Sequence, residues 1–299
     1  MMKGDKLARK SSRLFYLFIS PWIIGFCVFT LFPMLFSLFT SFTNWNGLSV
    51  PEFIGFSNYI NIFTVDRLFQ TSLKNTLYYV AVSVPLNILL SIILALMLNR
   101  RLPATNLFRA IFYLPTICTG VASYITWLYL YNPNFGFINV LLSRLGIQGP
   151  GWLSDINTAM PSLILMDMFV CGTSMTVVLA SLQDTPKMYY EAANLDGANK
   201  WQQFVHVTFP MISPVVFFNL LMTLIKGLQI FTQPYVMTEG GPANATYVYG
   251  LHLYKTAFLY TRFGYASALA WVLFLLLIAL SGIIFATSKF WVFYREDVD

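Results

Sequence analysis

Residues 184–210 read D-T-P-K-M-Y-Y-E-A-A-N-L-D-G-A-N-K-W-Q-Q-F-V-H-V-T-F-P. This polar island separates two long apolar runs, 159–182 and 207–233. Lys187 to Leu195 predicts one short helix, with Met188, Ala192 and Leu195 on one face. Asp196-Gly197 ends it, because glycine enters the left-handed conformation of a helix stop at little cost. Ala198 to Val207 predicts a second short helix, with Trp201, Phe204 and Val205 at i, i+3 and i+4. Pro210 then opens the next apolar run. Helices this short are marginal alone in water. Two of them, each with an apolar face, read as an element that rests on another protein.

The flanking runs set the class. The chain has 299 residues, 57% hydrophobic and 10% charged, and a mean hydropathy of +0.65. A soluble domain is nearer one quarter charged. Six apolar segments, 14–42, 72–98, 108–131, 159–182, 207–233 and 265–290, are each long enough at 1.5 Å per residue to exceed a hydrocarbon thickness of roughly 30 Å. Backbone groups in lipid need internal partners, so the expected fold is all-α, a polytopic membrane protein of six transmembrane helices. The first is too long for a cleavable leader and has no small-x-small site after it. Pro21 and Pro33 predict bends there, and Leu114-Pro115 a kink in the third. The expected division is a segment 1–13, a six-helix domain 14–290 and a tail 291–299.

Lys and Arg orient it. Lys3, Lys6, Arg9, Lys10 and Arg13 share a side with Arg100, Arg101, Arg109, Lys187, Lys200, Lys289 and Arg295. Only Arg67, Lys74, Arg144, Lys255 and Arg262 fall on the other. Both termini and the 184–210 loop are therefore expected in the cytoplasm. The net charge of +6 reflects this bias rather than nucleic acid. On the outer side, Asn44-Trp45-Asn46-Gly47 marks a turn, and 246–263 reads as an interfacial helix with Tyr247, Tyr249, Tyr254 and Phe258. Cys27, Cys118 and Cys171 lie inside apolar runs and read as buried thiols, with no metal or disulfide framework.

Two charges stand within spans, Asp167 and Lys226, at similar depths about 10–12 Å below the outer surface, where an ion pair is geometrically open to them. On the fifth span Asn219, Thr223, Lys226, Gln229 and Gln233 recur at helical spacing. On the fourth, Asp167, Cys171, Ser174 and Ser181 do so. Such stripes are costly against lipid and belong against each other, a partner or a water-filled path.

The order Glu191-Ala192-Ala193, Gly197 six residues after the glutamate, then Val207-Thr208-Phe209-Pro210 resembles the EAA loop of ABC importer permeases. Ala198 and Phe204 resemble its sugar branch, while Val207 and Phe209 replace the more usual Ile and Leu. Thr238-Glu239-Gly240-Gly241-Pro242 is similar to the T-x-G-G-P turn of sugar permeases, and 53–59 (F-I-G-F-S-N-Y) to their outer segment before the second span. The chain resembles the compact lactose, raffinose or glycerol-phosphate permeases more than the first maltose permease. The resemblance implies a bacterial inner (plasma) membrane, a second permease, two cytosolic ATPases and an extracellular solute-binding protein. ATP and Mg would sit in the ATPase, with no cofactor in this chain. It implies ATPase docking by Glu191, Ala192, Ala193, Asp196, Gly197, Ala198, Trp201, Phe204 and Pro210, with Trp201 and Phe204 holding the loop against the bundle. The resemblance favours the path reading of the polar stripes, because such permeases bind solute among these later spans; the candidates for a solute path are Asp167, Ser174, Asn219, Thr223, Lys226, Gln229, Gln233 and Tyr235. Tyr235, Tyr265 and Trp271 are candidates for stacking on sugar faces.

Enzyme chemistry is missing. No G-x-x-x-x-G-K-[ST] phosphate loop occurs. His206 and His252, the only histidines, fall on opposite sides of the membrane, so no acid–base or zinc cluster can be built from them. The remaining alternatives are a permease for glycerol phosphate or another sugar-like anion, and an ion-coupled secondary transporter using Asp167 or Lys226.

Overall fold

A computed structural model describes residues 15–100, 105–117 and 120–293. The expected lead 1–13, Arg101, Cys118 and Arg295 lie outside the described residues. The chain divides into two units.

The first unit takes residues up to Val65 and Leu253–Val272. Helix α1, Phe15–Ser41, contains a π turn at Cys27–Leu31. Pro33 follows it, and a proline that cannot donate to the preceding turn is a physical cause for such a widening. Most of α1 has no protein cover: Trp22, Phe29 and Phe32 are all more than 60% exposed. Among the described residues the helical fold is interrupted by one small ribbon of β1, Thr43–Asn44, and β2, Glu52–Phe53, paired antiparallel with Thr43 opposite Phe53. The turn between them is the expected one. Asn46 Oδ1 accepts from the backbone N–H groups of Leu48 and Ser49, and Gly47 takes φ +85°. In α2, Ser57–Thr64, buried Asn58 donates to the carbonyls of Ser41 and Thr43 at 2.8 and 3.0 Å, which fixes the 53–59 segment.

The second unit takes Asp66–His252 and the chain from Leu273 onward. Helix α3, Arg67–Leu98, starts five residues before the apolar run because Asp66 caps it, accepting from Phe69 N at 2.9 Å. Then come α4 (Thr105–Ile117), α5 (Val121–Leu130), α6 (Phe137–Arg144), α7 (Ile156–Met168) and α8 (Gly172–Asp184). Helices α9 (Lys187–Leu195), α10 (Lys200–Leu228) and α11 (Thr232–Thr238) follow; α12, Tyr249–Tyr254, and α13, Phe263–Ser288, each belong partly to the first unit and partly to the second. Among the described residues, α1, α3, α10 and α13 are each long and apolar enough to cross a membrane. The number rises to six if α4 with α5, and α7 with α8, each form one bent span.

The expected fourth span is thus two helices inclined at 43°. The expected fifth span begins earlier and ends earlier: α10 runs back to Lys200, and Gln229 caps its end. Within the unit, Tyr79, Leu163, Leu224, Leu228, Val248 and Leu251 anchor one apolar cluster, and Leu98, Met175, Val178, Leu182 and Ile212 another. Tyr247 and Tyr249 are 3% and 0% exposed, so they serve this core rather than a membrane interface.

The second oxygen of Asp66 lies 3.0 Å from His252 Nε2, and Tyr247 Oη lies 3.2 Å from His252 Nδ1. Burial pushes His252 below the usual histidine range, against the opposing pull of Asp66. The neutral ring is therefore the form that folding favours. Its stabilising effect is complete above the ordinary histidine value of about 6.5 and is lost as pH falls through the lower folded value. Thermal unfolding should show the parent losing more stability than His252→Gln between pH 8 and pH 5. Identical pH profiles would refute the assignment.

Candidate functional site

A cavity of about 630 Å³ opens among the helices of the second unit. From α3, Tyr79, Ser83 and Asn87 line it at four-residue intervals. Asp167 closes α7, while Thr173 and Ser174 open α8. Asn219, Thr223 and Lys226 come from α10. Gln229, Phe231 and Gln233 follow where α10 gives way to α11. The break in the fourth span is what turns Asp167 and Ser174 toward one space. The last turn of α7 tightens, with Phe169 N donating to Met166 O and Val170 N to Asp167 O, both at 3.1 Å.

The sequence-predicted path residues divide. Asp167, Ser174, Asn219, Thr223, Lys226, Gln229 and Gln233 all line the cavity. Gln229 and Gln233 do not continue one helical stripe, because α10 ends between them. Gln233 is 6% exposed and donates to Leu163 O at 3.0 Å, so it clips α11 to α7. Cys171, expected on the polar stripe, packs in the apolar cluster with Met175 and Val178. Tyr235 stacks on Phe231, centroids 5.3 Å apart, and is not among the cavity walls. Tyr265, in the other unit, is buried under the Arg262 guanidinium, 4.6 Å from its ring. Asp167 and Lys226 both line the cavity but form no salt bridge. The close contact of a carboxylate with a basic side chain falls elsewhere, where Asp66 Oδ2 lies 3.0 Å from the His252 ring.

The 184–210 loop is built tightly. Helix α9 stops as expected, with Gly197 at φ +78°. Ala198 N donates to Ala193 O and Gly197 N to Asn194 O, the paired bonds of a glycine-closed helix end. A reciprocal cap follows at once, Gln202 N to Asn199 Oδ1 and Asn199 N to Gln202 Oε1. The second short helix expected at 198–207 is not separate. It is the first turns of α10, through a π turn at Phe204–Thr208 that precedes Pro210, now half-buried within the long helix. Buried Gln203 donates to Asn194 Oδ1 at 2.7 Å and to Ala198 O at 2.9 Å, tying α9 to α10. Tyr190 and Thr208 add a hydroxyl contact at 3.1 Å.

This frame presents its apolar residues outward. Leu195 is 90%, Trp201 71% and Met188 65% exposed. Trp201 therefore does not hold the loop down. Phe204 does so, packed against the Met175 cluster while its other face stacks on Trp201. Glu191, Ala192, Asp196 and Gly197 are exposed, and Ala193 and Ala198 half-buried. Ala192, Ala193, Asp196, Gly197 and Ala198 line a shallow groove of about 490 Å³ beside His206.

Residues 87–288 match the protein family described as binding-protein-dependent transport system inner membrane component. The chain belongs to this family of permeases. The permease is 41% identical over 299 residues to the probable ABC transporter permease protein YesP of Bacillus subtilis (strain 168), covering 99% of this chain and 96% of that one. It is 34% identical to the lactose transport system permease protein LacF of Rhizobium radiobacter, over 92% of this chain and 93% of that one. Its fold superposes with a TM-score of 0.83 and 24% identity on a bacterial ABC transporter involved in the import of the acidic polysaccharide alginate, covering 95% of this chain and 98% of that one. The permease is thus a multi-pass membrane protein of an ABC transport system.

Sequence reasoning missed part of the cavity. Tyr79, Ser83 and Asn87 recur at the same helical spacing as the stripes that were recognised, but carry no charge to draw attention to the second span. Phe231 follows a helix end that the apolar run concealed.

Proposed function

We propose that the chain is a permease subunit of an ATP-driven importer of sugars or oligosaccharides. It crosses the bacterial inner membrane six times with both termini in the cytoplasm. It supplies half of a pathway completed by a second permease, receives solute from an extracellular binding protein, and takes force from two cytosolic ATPases. The lactose relative and the alginate transporter support a saccharide rather than an ion as cargo. The observation that carries the reading is the pairing of two features in one unit. One is a polar, aromatic-edged cavity; the other is a braced two-helix turn that exposes Leu195, Trp201 and Met188.

ATP binding in the ATPase would move the turn, and the cavity would open to the opposite side. A switch of this kind needs binding energy that differs between the two states. The turn is the place where the ATPase would deliver it, and Glu191 is one of its exposed charges. Reversing that charge tests the reading. Glu191→Lys should insert at the parent level, fail to co-purify the ATPase, and lose ATP-dependent saccharide uptake. Full uptake by this variant would exclude docking through the turn.

A further inference from the structure

Two amides in the cavity wall have a polar atom with nothing to bind. Asn87 Oδ1 and Asn219 Nδ2 are both buried without a hydrogen-bond partner, and each residue is only 6% exposed. Buried polar groups are nearly always paired, so an unpaired one asks for a physical explanation. Here one cavity holds both. One is an acceptor lacking a donor, the other a donor lacking an acceptor.

Their depth sets them apart from the charged residues. Asn87 lies eight residues beyond Tyr79 on α3, about 12 Å along the axis. Asn219 lies seven residues before Lys226 on α10, about 10 Å away in the same direction. The two helices pack against each other. Asp167 and Lys226 therefore face one level of the cavity, and the two amides a second level nearer the Asn99 end of α3 and the Lys200 end of α10.

We infer that Asn87 and Asn219 form a neutral subsite for hydroxyl groups of a saccharide ring passing this deeper level. The inference rests on the importer reading above. Among the groups of a saccharide ring a hydroxyl satisfies both atoms, because it donates to Asn87 Oδ1 and accepts from Asn219 Nδ2. A carboxylate or phosphate only accepts, so it would leave the Asn87 oxygen unpaired and face it with like partial charge. The subsite accordingly reads the hydroxyl-bearing face of the solute and not an acidic group.

The test uses the whole assembly in inverted-free membrane vesicles, supplied with a pool of neutral and uronate di- to tetrasaccharides, with import read by mass spectrometry. Asn87→Leu and Asn219→Leu should each lower import about tenfold, the order expected for one lost hydrogen bond. ATP hydrolysis and membrane level should stay near the parent. The unfolding temperature should hold or rise, because an unpaired buried amide has been replaced by an apolar side chain of similar size. Asn219→Gln should restore part of the import. Parent-level import by both leucine variants overturns the subsite. So does a parallel fall in import, ATP hydrolysis and unfolding temperature, which marks a packing role. Loss confined to uronates overturns the neutral assignment. Import of no pool member by the parent assembly overturns the saccharide reading itself, and the subsite falls with it.

Discussion

Gly197→Pro should reduce ATP-dependent uptake to background while the chain still reaches the membrane. Gly197 sits at φ +78° and its N–H donates to Asn194 O at 3.1 Å. Proline fixes φ near −65° and has no N–H, so it can neither adopt the angle nor make the bond, a cost of about 3 kcal/mol or more. The next bond, Ala198 N to Ala193 O, depends on the same turn. With both gone, α9 is free of the reciprocal cap at Asn199, and Leu195 and Trp201 no longer present one surface. Gly197→Ala separates shape from chemistry. A Cβ here meets nothing within 4 Å, so alanine suffers only the left-handed backbone penalty, about 1–2 kcal/mol. Uptake by Gly197→Ala should therefore survive in reduced measure. Vesicle uptake normalised to immunoblotted permease distinguishes the cases. A proline variant that transports like the parent would show that the turn transmits nothing.

Gly197 announces a helix stop by its conformational freedom, and the structure puts it at that stop. Asn199 and Gln202 form the N-x-x-Q spacing of a reciprocal cap, which starts the next helix at Lys200 rather than at Ala198. The merger of that helix into the following apolar run was hidden by Pro210. A proline reads as a boundary, but the preceding π turn at Phe204–Thr208 absorbs it and the helix continues. The apolar runs located the long helices because lipid-crossing segments write their length directly in hydropathy. Their ends were less visible where a polar cap such as Asp66 extends a helix past its apolar part.

The cavity was half legible for a different reason. Charge inside an apolar run is conspicuous, so Asp167 and Lys226 led to the fourth and fifth spans. Uncharged polar residues on the second span, Ser83 and Asn87 among them, carry the same spacing with less contrast. Stripe arguments also assume an unbroken helix. That assumption put Cys171 on the polar face, whereas the 43° bend returns it to the core.

The bend itself leads to the second large effect: Gly172→Leu should remove most folded permease from the membrane and lower the unfolding temperature of what remains. A Cβ on Gly172 would lie 2.4 Å from Phe112 O, 2.9 Å from Thr116 Cγ2 and 3.0 Å from Tyr113 Cα. Two of these three atoms are backbone, so no rotamer change relieves the contact. Close approach of helices through a small residue is a main source of association in lipid, where no hydrophobic effect drives helices together. Forcing α4 and α8 apart costs at least the 1–3 kcal/mol typical of overpacking. It also reaches the cavity, since Asp167 and Ser174 flank the bend and Thr116 is itself a wall. Gly172→Ala carries the same first clash with less bulk and should fall between parent and leucine. Thr116→Ser, added to Gly172→Ala, removes the methyl contact but leaves the Phe112 carbonyl in place. It should recover little stability. Full recovery in that double variant would mean that the side-chain methyl, rather than the backbone crossing, sets the distance between the two helices.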